Sequence, residues 1–98
     1  MSEVESSADV RALSQSMVDL VRSIASSLVD SPESVTVEAF ADGEGTLLRL
    51  RVSPTDVGKV IGKQGRTARS IRTILSAASM KLKHRFALDI VEDNPSNS

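Results

Sequence analysis

Apolar residues recur with two alternating spacings along this chain, and the order of these spacings limits the fold more than any other feature. Intervals of three and four run from Val10 to Leu28 and from Ala68 to Leu82, which is the spacing of one helix face. Apolar and polar residues alternate within 35–41, 48–52 and 86–90, which is the spacing of a strand. The pattern therefore predicts an α+β fold.

The first half predicts a helix followed by a β-hairpin. Asp9 is a candidate N-cap, and Asp30-Ser31-Pro32 ends the helix. Asp42-Gly43-Glu44-Gly45 supplies the turn between the two strands. Phe40 and Leu47 fall on the strand faces opposite the predicted core, at the two ends of the hairpin, so they could form a self-association patch on an open sheet face.

The second half predicts two helices separated by a glycine-bounded loop, and then a third strand. Ser53-Pro54-Thr55-Asp56 suits a helix start, because serine can cap, proline fits the first turn and the aspartate could complete a capping box. The short helix ends near Ile61, Gly62-Lys63-Gln64-Gly65 interrupts it, and a longer helix follows from Arg66 to about Lys81. The apolar stripe of that helix, which we expect to be core, is Ala68, Ile71, Ile74, Leu75, Ala78 and Leu82. We expect the order α-β-β-α-α-β, with three helices covering one face of a three-stranded sheet.

The chain length suits one domain. We expect residues 9–92 to form it, with a flexible acidic N-terminus at 1–8, to which we assign no role, and a flexible C-terminal tail at 93–98. No cysteine is present, which excludes disulfides and thiolate metal sites. The sequence has neither an apolar run of about 20 residues nor the pattern of a signal peptide, so we expect a cytoplasmic protein without membrane contact.

The net charge of −1 conceals opposite charges in two parts of the chain. Residues 1–50 hold nine acids and three bases, whereas residues 57–85 hold eight bases and no acid. The eight are Lys59, Lys63, Arg66, Arg69, Arg72, Lys81, Lys83 and Arg85. One part of the surface should therefore be positive and should attract an anion.

Two glycines bracket Lys63 and Gln64 at the junction of the two predicted helices. Glycine tolerates positive φ and close backbone approach, and the N-terminus of the following helix favours an anion. The loop does not match the nucleotide-binding pattern G-x-x-x-x-G-K-[ST], because three residues separate Gly58 from Gly62 and a glutamine follows Lys63. The G-x-G-x-x-G dinucleotide pattern is absent as well. These exclusions favour a nucleic-acid backbone as the anion.

The segment VGKVIGKQGRTARSIRTILSAA resembles the V-I-G-x-x-G core of KH domains, and GKQGRTA-x-x-IRT-x-L in so short a chain resembles the small bacterial KH family called KhpA. The order of elements resembles the type II KH arrangement, and the resemblance covers roughly residues 10–92. It implies a single-stranded RNA-binding protein, a post-transcriptional regulator or RNA chaperone linked to cell division and envelope growth. It also implies a homodimer, or a heterodimer with a larger KH-domain protein.

Carried over to this sequence, the resemblance implies a role for each residue of the motif. Gly62 and Gly65 admit the RNA backbone, while Lys63 and Gln64 touch phosphates or sugars. Apolar residues flank the groove or form its floor, and arginines supply charge along one rim. The implied RNA-binding residues are Gly62, Lys63, Gln64, Gly65, Arg66, Lys59, Val60, Ile61, Arg69 and Arg72. The groove floor also includes Val57, Ala68 and Ile71, and the second rim is implied to be the connection that holds Lys81, Lys83 and His84.

Two other classes of function compete with RNA binding. One is a protein-interaction adaptor, a KH–KH dimerisation module with little RNA binding of its own. The other is an enzyme, which we predict this chain is not, because its single histidine and its basic segment offer no general base beside a nucleophile. We likewise predict no cofactor, no metal and no small-molecule substrate. We assign Gly58 to tight helix packing and His84 to a surface turn.

The aromatic content limits how RNA could be recognised. The chain has two phenylalanines and no tryptophan or tyrosine. Nucleic-acid surfaces that stack bases on rows of aromatic rings need more than this. We therefore expect recognition by groove shape, backbone contacts and hydrogen bonds to base edges.

Overall fold

The computed structural model describes the backbone of residues 2–92 and the side chains of residues 10–92. Its helices and strands are α1 (Ser2–Leu28), β1 (Thr36–Asp42), β2 (Gly45–Val52), α2 (Val57–Ile61), α3 (Arg66–Leu82) and β3 (Phe86–Glu92). Short 3₁₀ turns lie at Pro32–Ser34, Pro54–Asp56 and Lys63–Gly65. The order is the predicted α-β-β-α-α-β, and the α+β fold is confirmed.

Helix α1 begins earlier than the sequence predicted. Its backbone is helical from Ser2, so Asp9 lies inside the helix and the prediction of a cap at Asp9 is wrong. The segment 2–8, predicted to be flexible, holds neither Gly nor Pro, so nothing in it stops a helix. The predicted tail at 93–98 lies outside the described residues, and the domain limits of 9–92 stay a prediction. No helix in residues 2–92 combines the length and the hydropathy that a membrane span requires.

Strand β2 is the centre of the sheet. It pairs antiparallel with β1 and parallel with β3, with Arg49 opposite both Glu38 and Asp89. Parallel neighbours cannot be joined by a tight turn, so the chain needs a crossover between β2 and β3. Helices α2 and α3 with the loop between them form this crossover, and β3 is left as an edge strand.

The core lies between the sheet and the three helices. Alternate residues of β2 supply its centre, with Leu48, Leu50 and Val52 fully buried, as the strand spacing predicted. The prediction that Ile74 is core is wrong, since its side chain is 45% exposed. At about 100° per residue, position 74 lies on the flank of the α3 stripe whose centre holds the buried Ile71 and Leu75. The other core residues are Val18, Val21, Ala25, Val35, Val37, Val60, Ala68, Phe86 and Leu88.

The sheet face opposite the helices carries a mixture of apolar and charged side chains. Phe40, which is 40% exposed, pairs directly with Leu47 across the β1–β2 ladder. The guanidinium of Arg49 lies 5.0 Å from the centre of the Phe40 ring, and its Nε lies 3.2 Å from a carboxylate oxygen of Asp89. These contacts form one row of side chains across all three strands.

Candidate nucleic-acid interface

The glycine-bounded loop turns the chain from α2 into α3 through positive φ angles. Gly62 has φ 79° and ψ 171°, and its N–H donates to the carbonyl of Gly58 over 2.8 Å. Gln64 (φ 57°) and Gly65 (φ 74°) follow in the left-handed region. No side chain caps the N-terminus of α3. The N–H of Arg66 donates to the carbonyl of Lys63, and the positive end of the helix dipole still favours an anion beside the loop.

The three glycines of this segment have different surroundings. A Cβ on Gly62 would fall on the side chain of Thr67 and lie 2.9 Å from the Thr67 nitrogen, so the loop itself requires glycine there. A Cβ on Gly65 would meet no atom within 4 Å, which leaves open space beside the loop. Gly58 is exposed and has the same open space, so the prediction that it serves tight packing is wrong.

The basic side chains at the loop are exposed. Arg66 donates from Nη2 to the side-chain Oε1 of Gln64 over 3.0 Å, which holds the two side chains beside each other. Within residues 10–92, no ion pair involves Lys63, Arg66 or Arg69. Their charges are therefore not neutralised by the acids of the described residues and remain available to phosphate groups.

A groove runs from this loop along α3 and the edge of β3. Its first part is a cavity of about 500 Å³, and its second part is a cavity of about 230 Å³. Both parts contain Arg72, whose Nη2 donates to the carbonyl of Leu88 over 3.2 Å. The first part, which we call the loop-side cavity, is lined by Ile61, Gly65, Ala68, Arg69, Arg72, Asp89 and Ile90. The second is lined by Arg72, Leu75, Ser76, Phe86, Ala87 and Leu88.

The predicted RNA-binding residues Lys59 and Val60 lie neither in the loop and the start of α3 nor among the residues that line the two cavities. Val60 has no exposed surface and belongs to the core, so its predicted contact with RNA is wrong. Lys59 lies with its Nζ 3.4 Å from a carboxylate oxygen of Asp30 and 3.5 Å from one of Asp56, and it does not line either cavity. The Lys59 side chain is 43% exposed, and its charge is paired with these two acids. Its contact with RNA stays a prediction.

Asp56 was predicted to complete a capping box, but its side chain turns inward and is buried. Its two oxygens accept the backbone N–H groups of Asp30 (3.2 Å) and Ser31 (3.0 Å). Burial favours the neutral carboxyl, yet these hydrogen bonds and Lys59 outweigh it, so the pKa of Asp56 is lowered from its ordinary 3.8. The hydrogen bond and charge of Asp30, followed by those of Asp56, raise the pKa of Lys59 above 10.5.

The predicted second rim is remote from the loop. Lys81, Lys83 and His84 lie where α3 ends, and 17 residues of helix span about 25 Å. His84 is held there by a 2.8 Å hydrogen bond between its Nε2 and the Thr46 hydroxyl, and by the edge of the Phe86 ring. Among the described side chains, no group of three acids or histidines is placed to hold a metal ion.

Sequence reasoning missed the contribution of β3 to the groove. Asp89 and Ile90 line the loop-side cavity beside Arg69 and Arg72, although they are distant in sequence. One signal was available, because Asp89 is the first acid after Asp56 and interrupts a long basic stretch. Its place beside α3 depends on the parallel pairing of β2 with β3, which spacing alone does not predict.

Solved structures with the same fold include Era, a protein several times longer than this chain. Era from Aquifex aeolicus matches with a TM-score of 0.51 and 18% identity, over 78% of this chain and 30% of its own. Era in complex with nucleotides of 16S ribosomal RNA also matches with a TM-score of 0.51, at 16% identity, over 78% of this chain and 29% of its own. At these identities the similarity establishes the fold alone.

Sequence comparison is more specific. The family described as "KhpA/KhpB, KH domain" matches residues 18–90. The RNA-binding protein KhpA of Clostridium perfringens is 49% identical over 75 residues, which cover 76% of this chain and 100% of that protein. The KhpA protein of Treponema pallidum is 51% identical over 76% of this chain and 92% of its own length. These relatives are named as RNA-binding proteins and not as enzymes, which supports the prediction that the chain is not an enzyme. The matches cover most of the chain and nearly all of these relatives, and the chain therefore belongs to the KhpA/KhpB family of KH domains.

Proposed function

We propose that this protein binds single-stranded RNA through the GKQG loop and the groove beside it. The observation that carries the proposal is the uncapped N-terminus of α3, which opens beside the exposed Lys63 and Arg66 and leads into the loop-side cavity. The relatives named as RNA-binding proteins support the choice of RNA as the anion.

Phosphates and bases bind in different regions of the groove. Phosphates lie at the loop, where backbone N–H groups of α3, Lys63 and Arg66 favour negative charge. Bases enter the loop-side cavity, whose apolar residues are Ile61, Ala68 and Ile90. The open space at Gly65 lets the RNA backbone approach the turn without steric conflict.

The biological role that we propose follows the family. The protein acts in the cytoplasm as an RNA chaperone or post-transcriptional regulator, with a link to cell division and envelope growth. It works as a homodimer or together with a larger KH-domain protein. A second binding site in such a dimer would raise the overall affinity for one RNA without any new contact.

Charge reversal at the loop tests the proposal. Lys63→Asp combined with Gln64→Asp replaces a base and a neutral donor by two acids, and we expect RNA affinity to fall at least tenfold. The matched control is Met80→Asp combined with Lys81→Asp, which makes the same charge change on exposed residues at the far end of α3. The control should retain affinity within about twofold, because interactions over that distance are screened at physiological salt. The proposal is wrong if the loop variant is folded by circular dichroism and binds RNA as wild type does.

Salt dependence provides a second, independent test of the same proposal. Each phosphate neutralised on a single strand contributes a slope of about −0.7 to log affinity against log salt. We expect a negative slope for the wild type and a shallower one for the loop variant. A slope near zero for the wild type would exclude binding through phosphates.

One observation favours the alternative function of a protein-interaction adaptor. Phe40 and Leu47 form a cross-strand pair on the sheet face opposite the helices, and Phe40 is 40% exposed among the described residues. Phe40→Glu tests this function, because an acid there should reduce self-association or pairing in sedimentation experiments. RNA affinity of the monomer should stay unchanged by this substitution if the two surfaces act separately.

A further inference from the structure

Strand β1 forms one edge of the sheet, and its outer side pairs with no other strand of the described chain. Residues 38–42 are all exposed, including Ala39 and Ala41, which alternate with the buried Val37 on the side of the sheet that faces the helices. Among the hydrogen bonds of residues 10–92, no side chain contacts the backbone of β1. The strand also holds neither the lysine nor the proline that commonly protects an edge.

The direction of the free backbone groups follows from the hydrogen bonds of β2. Thr46 donates its N–H to the carbonyl of Arg85 over 2.8 Å, on the β3 side, so this N–H faces away from β1. Residues opposite each other in an antiparallel pair either exchange both hydrogen bonds or direct both away from each other. Ala41 is the partner of Thr46, so its N–H and carbonyl point outward. Alternation along the strand gives Ala39 and Val37 the same direction.

A cavity of about 400 Å³, which we call the hairpin cavity, lies along this edge between α1 and the β1–β2 hairpin. Its apolar lining includes Val10, Ala39 and Ala41. Because alanine side chains are short, apolar side chains of an added strand have room to enter the cavity from the edge. Arg11 and His84 also line it, on the helix side of the sheet, where the Nε2 of His84 is hydrogen-bonded to the Thr46 hydroxyl.

The other side of the same edge is acidic. Glu38 and Asp42 alternate with the two alanines, so they lie on the sheet face opposite the helices, and Glu44 follows in the turn. The segment 23–48 contains five acids and no base. Within residues 10–92, Glu38 pairs with Arg51, whereas Asp42 and Glu44 take part in no ion pair. The charge at this edge therefore favours a basic ligand.

We propose that the outer edge of β1 binds an extended segment of a partner protein in which basic and apolar residues alternate. In strand addition, main-chain hydrogen bonds to an exposed sheet edge give affinity, and alternate side chains give specificity. The outward N–H and carbonyl groups of Ala39 and Ala41 supply the main-chain contacts. The apolar side chains of the segment enter the hairpin cavity, and its basic side chains lie beside Asp42 and Glu44.

A second copy of this chain fits the edge less well than a basic segment. Pairing of two β1 strands would bring Glu38 and Asp42 of both copies onto one sheet face, where like charges are unfavourable. The acids that attract a basic segment therefore also discourage pairing between copies through this edge.

The proposed surface is separate from the groove proposed for RNA. Strands β1 and β3 are opposite edges of the sheet, and no residue lines both the hairpin cavity and either part of the groove. The acidic edge should repel phosphates, whereas the loop attracts them. One molecule can therefore hold RNA and the partner segment at the same time.

The test measures binding of the full chain, without RNA, to a labelled seven-residue peptide in which lysine alternates with valine. We expect this peptide to bind at least tenfold more tightly than one in which glutamate replaces lysine. Two further peptides carry N-methyl groups either on two valines or on two lysines. Only one of these sets directs its N–H groups at β1, so one methylated peptide should lose binding and the other should retain it.

Variants of the edge assign the contacts. Ala39→Pro removes an outward N–H and leaves the ladder with β2 intact, because proline is tolerated in an edge strand where its N–H would face solvent. Affinity for the lysine peptide should fall at least tenfold. The matched control is Ala39→Ser, which keeps the N–H and a small side chain and should bind within about twofold of the wild type. RNA affinity should stay unchanged in both variants.

Charge reversal supplies a test that does not depend on Ala39→Pro being folded. Asp42→Lys combined with Glu44→Lys should invert the preference, so that the glutamate peptide binds more tightly than the lysine peptide. A general loss of structure would weaken both peptides alike, and circular dichroism checks the fold directly.

Several results would overturn the proposal. Equal binding of the lysine and glutamate peptides would exclude charge selection, and equal effects of the two N-methylated sets would exclude strand addition. A dimer in sedimentation experiments that Ala39→Pro dissociates would assign the edge to a second copy instead. None of these results bears on RNA binding, which charge reversal at Lys63 and Gln64 tests separately.

Discussion

Ser31 donates its backbone N–H to the buried carboxylate of Asp56 over 3.0 Å, although the two residues are 25 positions apart. Asp30 donates to the other oxygen of the same carboxylate. This contact ties the end of α1 to the start of α2. A five-residue helix such as α2 is not stable alone, so this anchor positions the helix that leads into the GKQG loop.

The first prediction concerns this anchor. Asp56→Asn should lower the melting temperature markedly, because an amide cannot accept both backbone N–H groups and also pair with Lys59. Asp30→Asn is the matched control, since its side chain is 80% exposed and it loses only an ion pair with Lys59. Thermal denaturation by circular dichroism measures both. Equal melting temperatures in the two variants would show that Asp56 is not an anchor.

The second prediction concerns acid. The pKa of Asp56 is lowered in the folded protein, so its carboxylate contributes stability that is complete above 3.8 and is lost as pH falls through the lower folded value. The wild type should therefore lose stability below about pH 4 more steeply than Asp56→Asn. Urea unfolding at neutral pH and at successively lower pH measures this. Parallel pH curves for the two proteins would contradict the prediction.

The third prediction separates the two loop glycines. Gly62→Ala places a Cβ on Thr67 and forces a non-glycine residue to φ 79°, ψ 171°, so unfolding free energy should fall by about 1–3 kcal/mol or more. The Cβ of Gly65→Ala would meet no atom within 4 Å. This variant should lower the free energy of unfolding by only about 1–2 kcal/mol, because alanine must adopt a left-handed conformation. Chemical denaturation ranks the two variants. If Gly65→Ala were the more damaging, the role assigned to Thr67 would be wrong.

The fourth prediction concerns Gly58. It is exposed in α2, and a Cβ there would meet no atom. Gly58→Ala should therefore raise the unfolding free energy by about 0.5–1 kcal/mol, because alanine loses less backbone entropy in a helix. A denaturation midpoint below that of the wild type would restore the packing role that the sequence suggested.

The fifth prediction compares two isoleucines of α3. Ile71 is 3% exposed, so Ile71→Ala should lower the free energy of unfolding by about 2–5 kcal/mol. Ile74, which is 45% exposed, should change stability by no more than about 0.5 kcal/mol with the same substitution. Each variant is the control of the other, and equal costs would place both side chains in the core.

The sequence predicted the order of elements and the loop because these are encoded locally. Alternation in β2 and the stripe of α3 each depend on neighbours within a few residues, and the glycines mark the positive φ angles directly. The error at Ile74 arose at the edge of such a stripe, where spacing alone does not distinguish a core position from an exposed one.

The groove was less predictable because its two walls come from separate parts of the chain. Arg72 reaches the carbonyl of Leu88, and Asp89 joins the cavity from β3. The resemblance implied an RNA contact for Lys59, but the structure pairs it with Asp30, 29 residues earlier, and with Asp56. Residue spacing along the sequence does not predict contacts between residues this far apart in the chain.

The parallel pairing of β2 with β3 also has a consequence for how the protein folds. Arg49 and Asp89 are ladder partners 40 residues apart, and the whole intervening crossover must be in place before they can pair. Contacts between residues so far apart in sequence form slowly, because the chain loses the entropy of loop closure before the contact can stabilise it. The wall of the groove that β3 supplies should therefore appear late in folding. A nascent chain that has not yet added β3 would carry the basic loop without the second wall of the groove.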